Sequence, residues 1–197
     1  MNQLEFIRRI LAISQAGLAY ATDKFDIERY QDLHAIALNQ LSGISDESVE
    51  KIGDLFKNEN GYPTPEVDVR AFIRQDNRVL LVEDDNHQWA LPGGYAEVGW
   101  TPSQNVLKEV REETGLTVHV QRLRAIYDTS LRTDIPQPFQ YYKMIFECVV
   151  DGGAFTENSE TIAMQWFRPD ELPELSQNRT TEAQLAQLFN GESIHID

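Results

Sequence analysis

Three glutamates, Glu109, Glu112 and Glu113, follow a glycine-rich turn at Gly93 and Gly94. Spacings of three and four residues would place the three carboxylates on one face of a helix. Carboxylates packed that closely repel one another unless a positive charge lies among them, and a hard cation such as Mg²⁺ takes oxygen ligands. Most charge runs are solvated helix faces, however, and the three glutamates alone would favour that alternative.

Local signals predict a helix that begins after Thr101 and ends before Gly115. Thr101 offers a hydroxyl N-cap, Pro102 suits the first helical position, and Gln104 completes a capping box. Gly115 can adopt the left-handed conformation that ends a helix. Small or apolar residues recur on one face at helical spacing: Ser103, Val106, Leu107, Val110 and Thr114. This face is expected to pack on a core, because the carboxylates occupy a different side.

The glycine turn and the acidic helix together resemble the Nudix box, Gly-x5-Glu-x7-Arg-Glu-U-x-Glu-Glu-x-Gly-U, where U is bulky and aliphatic. The positions in register with it are Gly94, Glu109, Val110, Glu112, Glu113, Gly115 and Leu116. Trp100 stands where the box has its first Glu, and Lys108 stands where it has Arg. The resemblance implies that those two family residues form an ion pair. Because both are changed here, no lone buried charge need remain.

The resemblance implies an α/β fold, a Nudix α/β/α sandwich over about residues 66 to 190, and a metal site. The expected ligands of Mg²⁺, with Mn²⁺ as a possible substitute, are Glu109, Glu112, Glu113 and the Gly94 carbonyl. Glu112 or Glu113 could also orient or deprotonate the attacking water. Glu160, in a polar loop, is a second candidate for base or ligand, against the alternative of an exposed loop acid.

Substrate contacts are predicted from residue type alone. Arginine can bind phosphate through two parallel hydrogen bonds, and the candidates are Arg70 and Arg132. Aromatic rings can stack on a nucleobase, and the candidates are Tyr95, Tyr127, Phe139 and Tyr141. Each of these residues is more often used for packing or as a surface charge. The long polar loop that begins at Asp128 is the kind of segment in which specificity resides.

Two domains are predicted, a helical one over residues 1–60 and a Nudix domain over 66–197, separated near the proline-containing stretch 58–65. Apolar residues recur at helical spacing before this linker, in helices that include Leu4–Leu18, Ile27–Leu41 and a third from Ser45 to Phe56. Sixty residues of helix bury little core alone. The small all-helical domain is similar to a dimerisation element, and a homodimer is expected.

Strand patterns follow Pro65. Val67, Val69 and Ala71 alternate with polar residues, and further apolar runs indicate several short strands. Gln140–Val150 is predicted as a long strand that contains the single cysteine, Cys148. One thiol cannot form an intrachain disulfide, so this cysteine is interpreted as a buried strand residue. A terminal helix is expected over Glu182–Phe189.

The chain has 197 residues, a net charge of -15 and a pI near 4.6. So acidic a chain has no electrostatic reason to bind a nucleic-acid backbone or an anionic membrane, although short RNA is not excluded. The N-terminus lacks the apolar core of a signal peptide, and no stretch approaches 18 apolar residues. A cytoplasmic protein without a membrane segment is therefore expected.

The helical N-terminus, the linker and the Trp100 variant resemble a narrower Nudix group that acts on nucleoside diphosphates linked to another moiety. The resemblance implies Mg²⁺-dependent hydrolysis of the pyrophosphate in a small molecule such as CDP-choline or ADP-ribose, in that order. One alternative is hydrolysis of RNA ends or oligonucleotides, which the acidic charge disfavours. Another is a non-catalytic nucleotide-sensing module, against which the intact glutamates argue.

Overall fold

The computed structural model describes residues 3–44, 51, 61–132, 134–135, 137 and 139–197. The chain divides into two compact units, Met1–Pro65 with Ser130–Gln140, and Glu66–Thr129 with Tyr141–Asp197. The segment Ser130–Gln140 groups with the N-terminal helices, although the sequence assigned it to the second domain. The predicted third helix lies almost wholly outside the described residues, and the predicted domain limits stay a prediction.

The first unit contains two helices, α1 (Gln3–Tyr20) and α2 (Lys24–Ile44). Their shared core consists of the buried side chains Ile7, Leu11, Ala37 and Leu41. Helix α2 begins after an Asp whose carboxylate accepts the N–H groups of the first turn, as an N-cap does. None of the described helices is both long enough and apolar enough to cross a membrane. The cytoplasmic location stays a prediction.

The second unit is built on one mixed sheet of eight strands. In chain order these are β1 (Glu66–Gln75), β2 (Arg78–Glu83), β3 (Trp89–Ala90), β4 (Gly93–Tyr95), β5 (Leu116–Asp128), β6 (Tyr141–Gly153), β7 (Ala163–Phe167) and β8 (His195–Ile196). The main path runs β3-β2-β1-β6-β5-β8, with β4 paired to β1 and β7 paired to β2. Strand β1 is parallel to β6 and antiparallel to β2 and β4.

Helices cover the two faces of this sheet. The apolar residues of α3 (Pro102–Thr114), among them Val106 and Val110, join a core cluster with β1, β5 and β6. Those of α4 (Glu182–Asn190), among them Leu185 and Leu188, join a second cluster with β1, β2 and β6. The predicted α/β/α sandwich with helices near the N-terminus is confirmed.

Two strands differ from their sequence patterns. Residues of β1 from 68 to 73 are all buried, so the polar Asp68 and Arg70 do not face solvent as the alternation predicted. The cause is that both faces of β1 are covered. Strand β5 is one continuous element, and register shifts against β6 interrupt its alternation of buried and exposed residues.

Candidate active site

The helix that carries the three glutamates has both of the predicted ends. The Thr101 hydroxyl accepts the N–H of Gln104, and the Gln104 side chain accepts the N–H of Thr101. Gly115 adopts the left-handed conformation with φ 71°, and its N–H donates to the Arg111 carbonyl. Local hydrogen bonding therefore fixes the start and the end of α3, and with them the side of the helix on which each glutamate lies.

Each glycine of the turn lies so close to a neighbouring group that a side chain would not fit there. Gly93 pairs with Arg70 on β1, and a Cβ at Gly93 would lie 2.1 Å from the Val69 carbonyl oxygen. A Cβ at Gly94 would lie 2.6 Å from Oε2 of Glu109. The first glycine lets β4 close against β1, and the second leaves room for a carboxylate directly beside the backbone.

Glu113 is the most buried of the three acids, with 6% of its surface exposed. Its Oε2 accepts the N–H of Gly93 at 2.7 Å, which joins α3 to the glycine turn. Burial raises the pKa of Glu113 to about 7, although the charge of Arg70 and the Gly93 N–H oppose this shift. The carboxylate is thus held in place within a site that penalises its negative charge.

Arg70 lies beneath the glycine turn as part of a buried ion pair. Its Nε and Nη2 each donate to a different oxygen of Asp68 at 2.8 Å, and its Nη1 donates to the Leu91 carbonyl at 3.3 Å. The Arg70 charge also acts on Glu113 and Glu109. The structure therefore gives Arg70 a supporting position below the site, and its predicted contact with phosphate stays a prediction.

Glu109 and Glu112 lie towards the outside of the same helix face. Burial raises the pKa of half-buried Glu109, Lys108 opposes the shift, and the negative charges of Glu112 and Glu160 add to it. Glu112 is exposed, and its Oε2 accepts from Lys108 Nζ at 2.6 Å. The cluster thus has a surplus of negative charge that Lys108 and Arg70, which is itself paired with Asp68, only partly offset.

The loop that carries Glu160 is attached to the end of α3. The Asn158 side chain donates to the carbonyls of Glu112 and Glu113, at 3.1 Å and 3.0 Å, and accepts the N–H of Glu160. Glu160 is exposed, yet its charge reaches Glu109. The structure therefore brings Glu160 to the same site as the helix glutamates, as the sequence suggested, while its chemical role stays a prediction.

The donors at this site fit a hard divalent cation by type and by charge. All are carboxylate or carbonyl oxygens, and the Glu109 carboxylate lies against Gly94. Among the described residues, no three His, Cys, Asp or Glu side chains surround a common point. Glu113 and Glu112 accept hydrogen bonds from Gly93 and Lys108. The residues are therefore suited by type and by charge to holding a metal.

The remaining substrate candidates fall in different surroundings. Tyr95 is exposed and stacks on Tyr141 with ring centroids 5.7 Å apart. Tyr127 is buried, and its hydroxyl donates to an α4 side chain. Phe139 packs against the helices of the first unit, and Arg132 pairs with an aspartate of the same segment. The structure brings Tyr95 and Tyr141 together, and every substrate contact stays a prediction.

Several residues that support the site carry no sequence signal of their own. Asn158 fastens the Glu160 loop, and Asp68 partners Arg70. Glu97 lies 3.2 Å from Lys108, and its backbone is held by the buried Asn105. No sequence pattern signals these contacts, because tertiary packing or a turn determines which groups meet.

Without metal, the elevated pKa of Glu113 predicts a stability that depends on pH. An acid with a raised pKa binds more protons in the folded than in the unfolded state between pH 4.5 and about 7, so folding weakens as pH rises through that window. Because glutamine does not titrate, Glu113→Gln removes this fall in stability with rising pH. In EDTA the variant should equal the wild type near pH 4 and exceed it at pH 8 by on the order of 1 to 3 kcal/mol in urea unfolding. A wild type that is the more stable protein at pH 8 would contradict the burial of this charge.

Comparison with known proteins places this geometry in a family. A NUDIX domain model matches residues 64–189, and a model described as a UDP-X-like N-terminal oligomerisation domain matches residues 2–56. YjhB of Bacillus subtilis (strain 168), a candidate ADP-ribose pyrophosphatase, is 40% identical over 95% of this chain and 90% of its own.

Two solved structures agree with this. A crystal structure of a UDP-X diphosphatase has a TM-score of 0.65 at 39% identity and covers 99% of this chain and 98% of its own. An ADP-ribose pyrophosphatase from Streptococcus suis 89-1591 has a TM-score of 0.62 at 38% identity and covers 68% of this chain and all of its own. The chain therefore belongs to the Nudix family of pyrophosphohydrolases, within the group that carries a helical N-terminal domain.

Proposed function

We propose that this protein hydrolyses the pyrophosphate bond of a nucleoside diphosphate linked to another moiety, with Mg²⁺ as its metal and Mn²⁺ as a substitute. The observation that carries the proposal is the arrangement at the glycine turn. Glu109 lies against Gly94, Glu113 is bonded to Gly93, and both are partly or wholly buried where their negative charges are unfavourable. Such a cluster of oxygen donors with unfavourable negative charge is suited to a divalent cation.

The chemistry follows from the charge of the substrate. A diphosphate bridge resists attack by water because its anionic oxygens repel a nucleophile. Mg²⁺, when bound, neutralises those oxygens and polarises a water molecule. Glu109, Glu112, Glu113 and the Gly94 carbonyl would hold it. Glu160 is the proposed proton acceptor, because no hydrogen bond within the described part of the chain occupies its carboxylate, whereas Glu112 and Glu113 already accept from other groups.

ADP-ribose is the first substrate we propose. YjhB and the Streptococcus suis protein carry ADP-ribose in their names, and the UDP-X diphosphatase carries a uridine diphosphate derivative. CDP-choline, which the sequence placed first, has no counterpart among these relatives and now ranks behind both. Exposed Tyr95 stacks on the partly buried Tyr141, and this pair offers a flat aromatic surface in the same unit as the carboxylates. We propose that it contacts the base.

Hydrolysis of RNA ends is the second candidate. A NAD-capped RNA hydrolase of Klebsiella pneumoniae subsp. pneumoniae is 30% identical over 66% of this chain, but the match spans only 49% of that protein. Both reactions cleave a pyrophosphate joined to a nucleotide. The net charge of -15 disfavours a long RNA ligand, because the phosphates of its backbone are also negative. A cap or a free dinucleotide has far fewer phosphates and is repelled less.

One panel separates the two functions. Purified protein with Mg²⁺ is incubated with ADP-ribose, a UDP-sugar, CDP-choline and NAD-capped RNA, and the products are resolved by chromatography. We expect ADP-ribose to yield AMP and ribose 5-phosphate with the highest kcat/KM, followed by the UDP-sugar. Preference for capped RNA would favour the second function. No turnover of any substrate would overturn the proposal.

We further propose that the protein forms a homodimer through its helical unit. Three large apolar residues of α1, Phe6, Ile13 and Tyr20, are about half exposed or more and recur every seven residues. Leu33 and Ile36 form a similar exposed pair on α2. An exposed apolar stripe of this length is typical of a helix that packs against another helix. The match to an oligomerisation domain supports this use of the face.

Ile13→Glu should therefore convert the dimer into a monomer. The charge would be buried in the proposed interface, which costs far more than it does on an open surface. Light scattering coupled to gel filtration measures the mass. Gln31→Glu, which adds the same charge to an exposed polar position of α2, is the matched control and should remain dimeric. An Ile13→Glu protein that is still a dimer would place the interface elsewhere.

A further inference from the structure

The two positions at which the chain departs from the Nudix box are connected in the structure. Lys108, in place of Arg, has its Nζ 3.2 Å from Oε1 of Glu97 and 2.6 Å from Oε2 of Glu112. Trp100, in place of Glu, is half exposed and carries no charge that could pair with Lys108. Outside the helix, Lys108 therefore binds the carboxylate of Glu97. Glu97 lies three positions before Trp100, the position at which the box has its first glutamate.

Hydrogen bonds in the loop before α3 hold the backbone of Glu97 near Lys108. The buried Asn105 side chain accepts the N–H of Glu97 at 3.0 Å and donates to its carbonyl at 3.4 Å. Gly99 then turns the chain with φ 94°, a conformation that favours glycine. Asn105 and Lys108 lie one helical turn apart on α3, so the backbone of Glu97 is fixed close to the lysine that its side chain binds.

We propose that Lys108 is a positioning residue for Glu112, and that Glu97 replaces the missing box glutamate as the anchor of Lys108. The inference rests on the proposed metal-dependent function. A lysine held by an anchored acid has few conformations left, and it keeps the exposed Glu112 carboxylate from rotating away from Glu109 and Glu113. Exposed ion pairs add little to stability, so the effect falls on the geometry of the site.

Removing the Lys108 charge should change metal affinity in opposite directions, depending on whether Lys108 positions Glu112 or acts only through its charge. Removing a cation beside three carboxylates should strengthen the binding of a divalent metal if charge alone matters. It should weaken binding if Lys108 holds Glu112 in a ligating position. Residues that orient metal ligands typically change affinity or activity by roughly 10-fold to 100-fold when they are removed.

The test compares three single variants, Lys108→Met, Lys108→Arg and Glu97→Gln, with the wild type. A fourth protein is the double variant that combines Glu97→Gln and Trp100→Glu. All four substitutions are made in the full-length protein. Mn²⁺ binding without substrate is measured by electron paramagnetic resonance, and ADP-ribose turnover is measured in parallel. We expect Lys108→Met to bind Mn²⁺ about 10-fold more weakly and Lys108→Arg to stay within about 3-fold of the wild type. Glu97→Gln should lose several-fold, and the added Trp100→Glu should recover most of that loss, because it restores the acid of the box.

Equal or tighter Mn²⁺ binding by Lys108→Met, in a wild type that binds Mn²⁺ and turns over, would overturn the positioning role and leave the proposed function intact. Failure of Trp100→Glu to rescue Glu97→Gln would overturn the assignment of Glu97 as the replacement. A wild type that neither binds Mn²⁺ nor hydrolyses any diphosphate would overturn the proposed function, and this inference with it.

Discussion

Glu113→Gln should lower kcat/KM for ADP-ribose by roughly 10³-fold, equivalent to about 4 kcal/mol of lost transition-state stabilisation. Glutamine keeps the size of the side chain and an oxygen that can accept the Gly93 N–H, so the glycine turn should keep its shape. What is lost is the negative charge that a divalent metal requires. The fall should appear in steady-state kinetics with Mg²⁺ saturating, while circular dichroism shows an unchanged fold.

The matched control is Glu171→Gln, which neutralises an exposed acid that belongs to no part of the proposed site. Its kcat/KM should stay within about 2-fold of the wild type, since surface substitutions away from special features have small effects. If Glu113→Gln retained more than a tenth of wild-type activity, the metal would have to be held without Glu113.

Gly93→Ala should destabilise the second unit by roughly 3 to 5 kcal/mol. Gly93 has φ 141°, which side chains rarely adopt, and the new Cβ would lie 2.1 Å from the Val69 carbonyl and 2.8 Å from the Arg70 Cα. Both neighbours are backbone atoms of the buried strand β1, so neither can move aside. Chemical unfolding should show a lower midpoint, and activity should fall as well, because Glu113 depends on the Gly93 N–H.

Gly152→Ala is the control for the loss of a glycine. A Cβ at Gly152 meets no atom within 4 Å, so the same substitution should change the free energy of unfolding by less than about 1 kcal/mol. Equal stability of the Gly93 and Gly152 variants would contradict the close approach of β4 to β1.

The parts of the site that depend on local sequence were predictable. The capping box at Thr101, the left-handed Gly115 and the apolar stripe of α3 all concern residues a few positions apart, and the structure has each of them. Helix periodicity then fixed which side the glutamates share. The sandwich itself followed from the resemblance, which the family match confirms.

The parts that depend on distant contacts were not predictable. Asp68 and Arg70 alternate with apolar residues and therefore suggested a solvent face, yet the sheet is covered on both sides and they form a buried pair. Asn158 approaches α3 only because the loop after β6 folds over the helix end. A sequence pattern reports neither how many layers cover a strand nor where a loop returns.

The segment with Arg132 and Phe139 gives a further example. In sequence the polar stretch that begins at Asp128 lies between two strands, which suggested a loop in which specificity resides. In the structure Phe139 packs with the apolar residues of α1 and α2. Apolar contacts between segments so distant in the chain are set by tertiary packing, and no periodicity in either segment reports them.

The most direct measurement of the central claim is release of AMP from ADP-ribose as Mg²⁺ is titrated, for the wild type and Glu113→Gln side by side. We predict no AMP in EDTA, a saturable rise with Mg²⁺ for the wild type, and a rate lower by roughly 10³-fold for the variant at every concentration. AMP release by the wild type in EDTA, or equal Mg²⁺ curves for the two proteins, would contradict hydrolysis by a metal held at these glutamates.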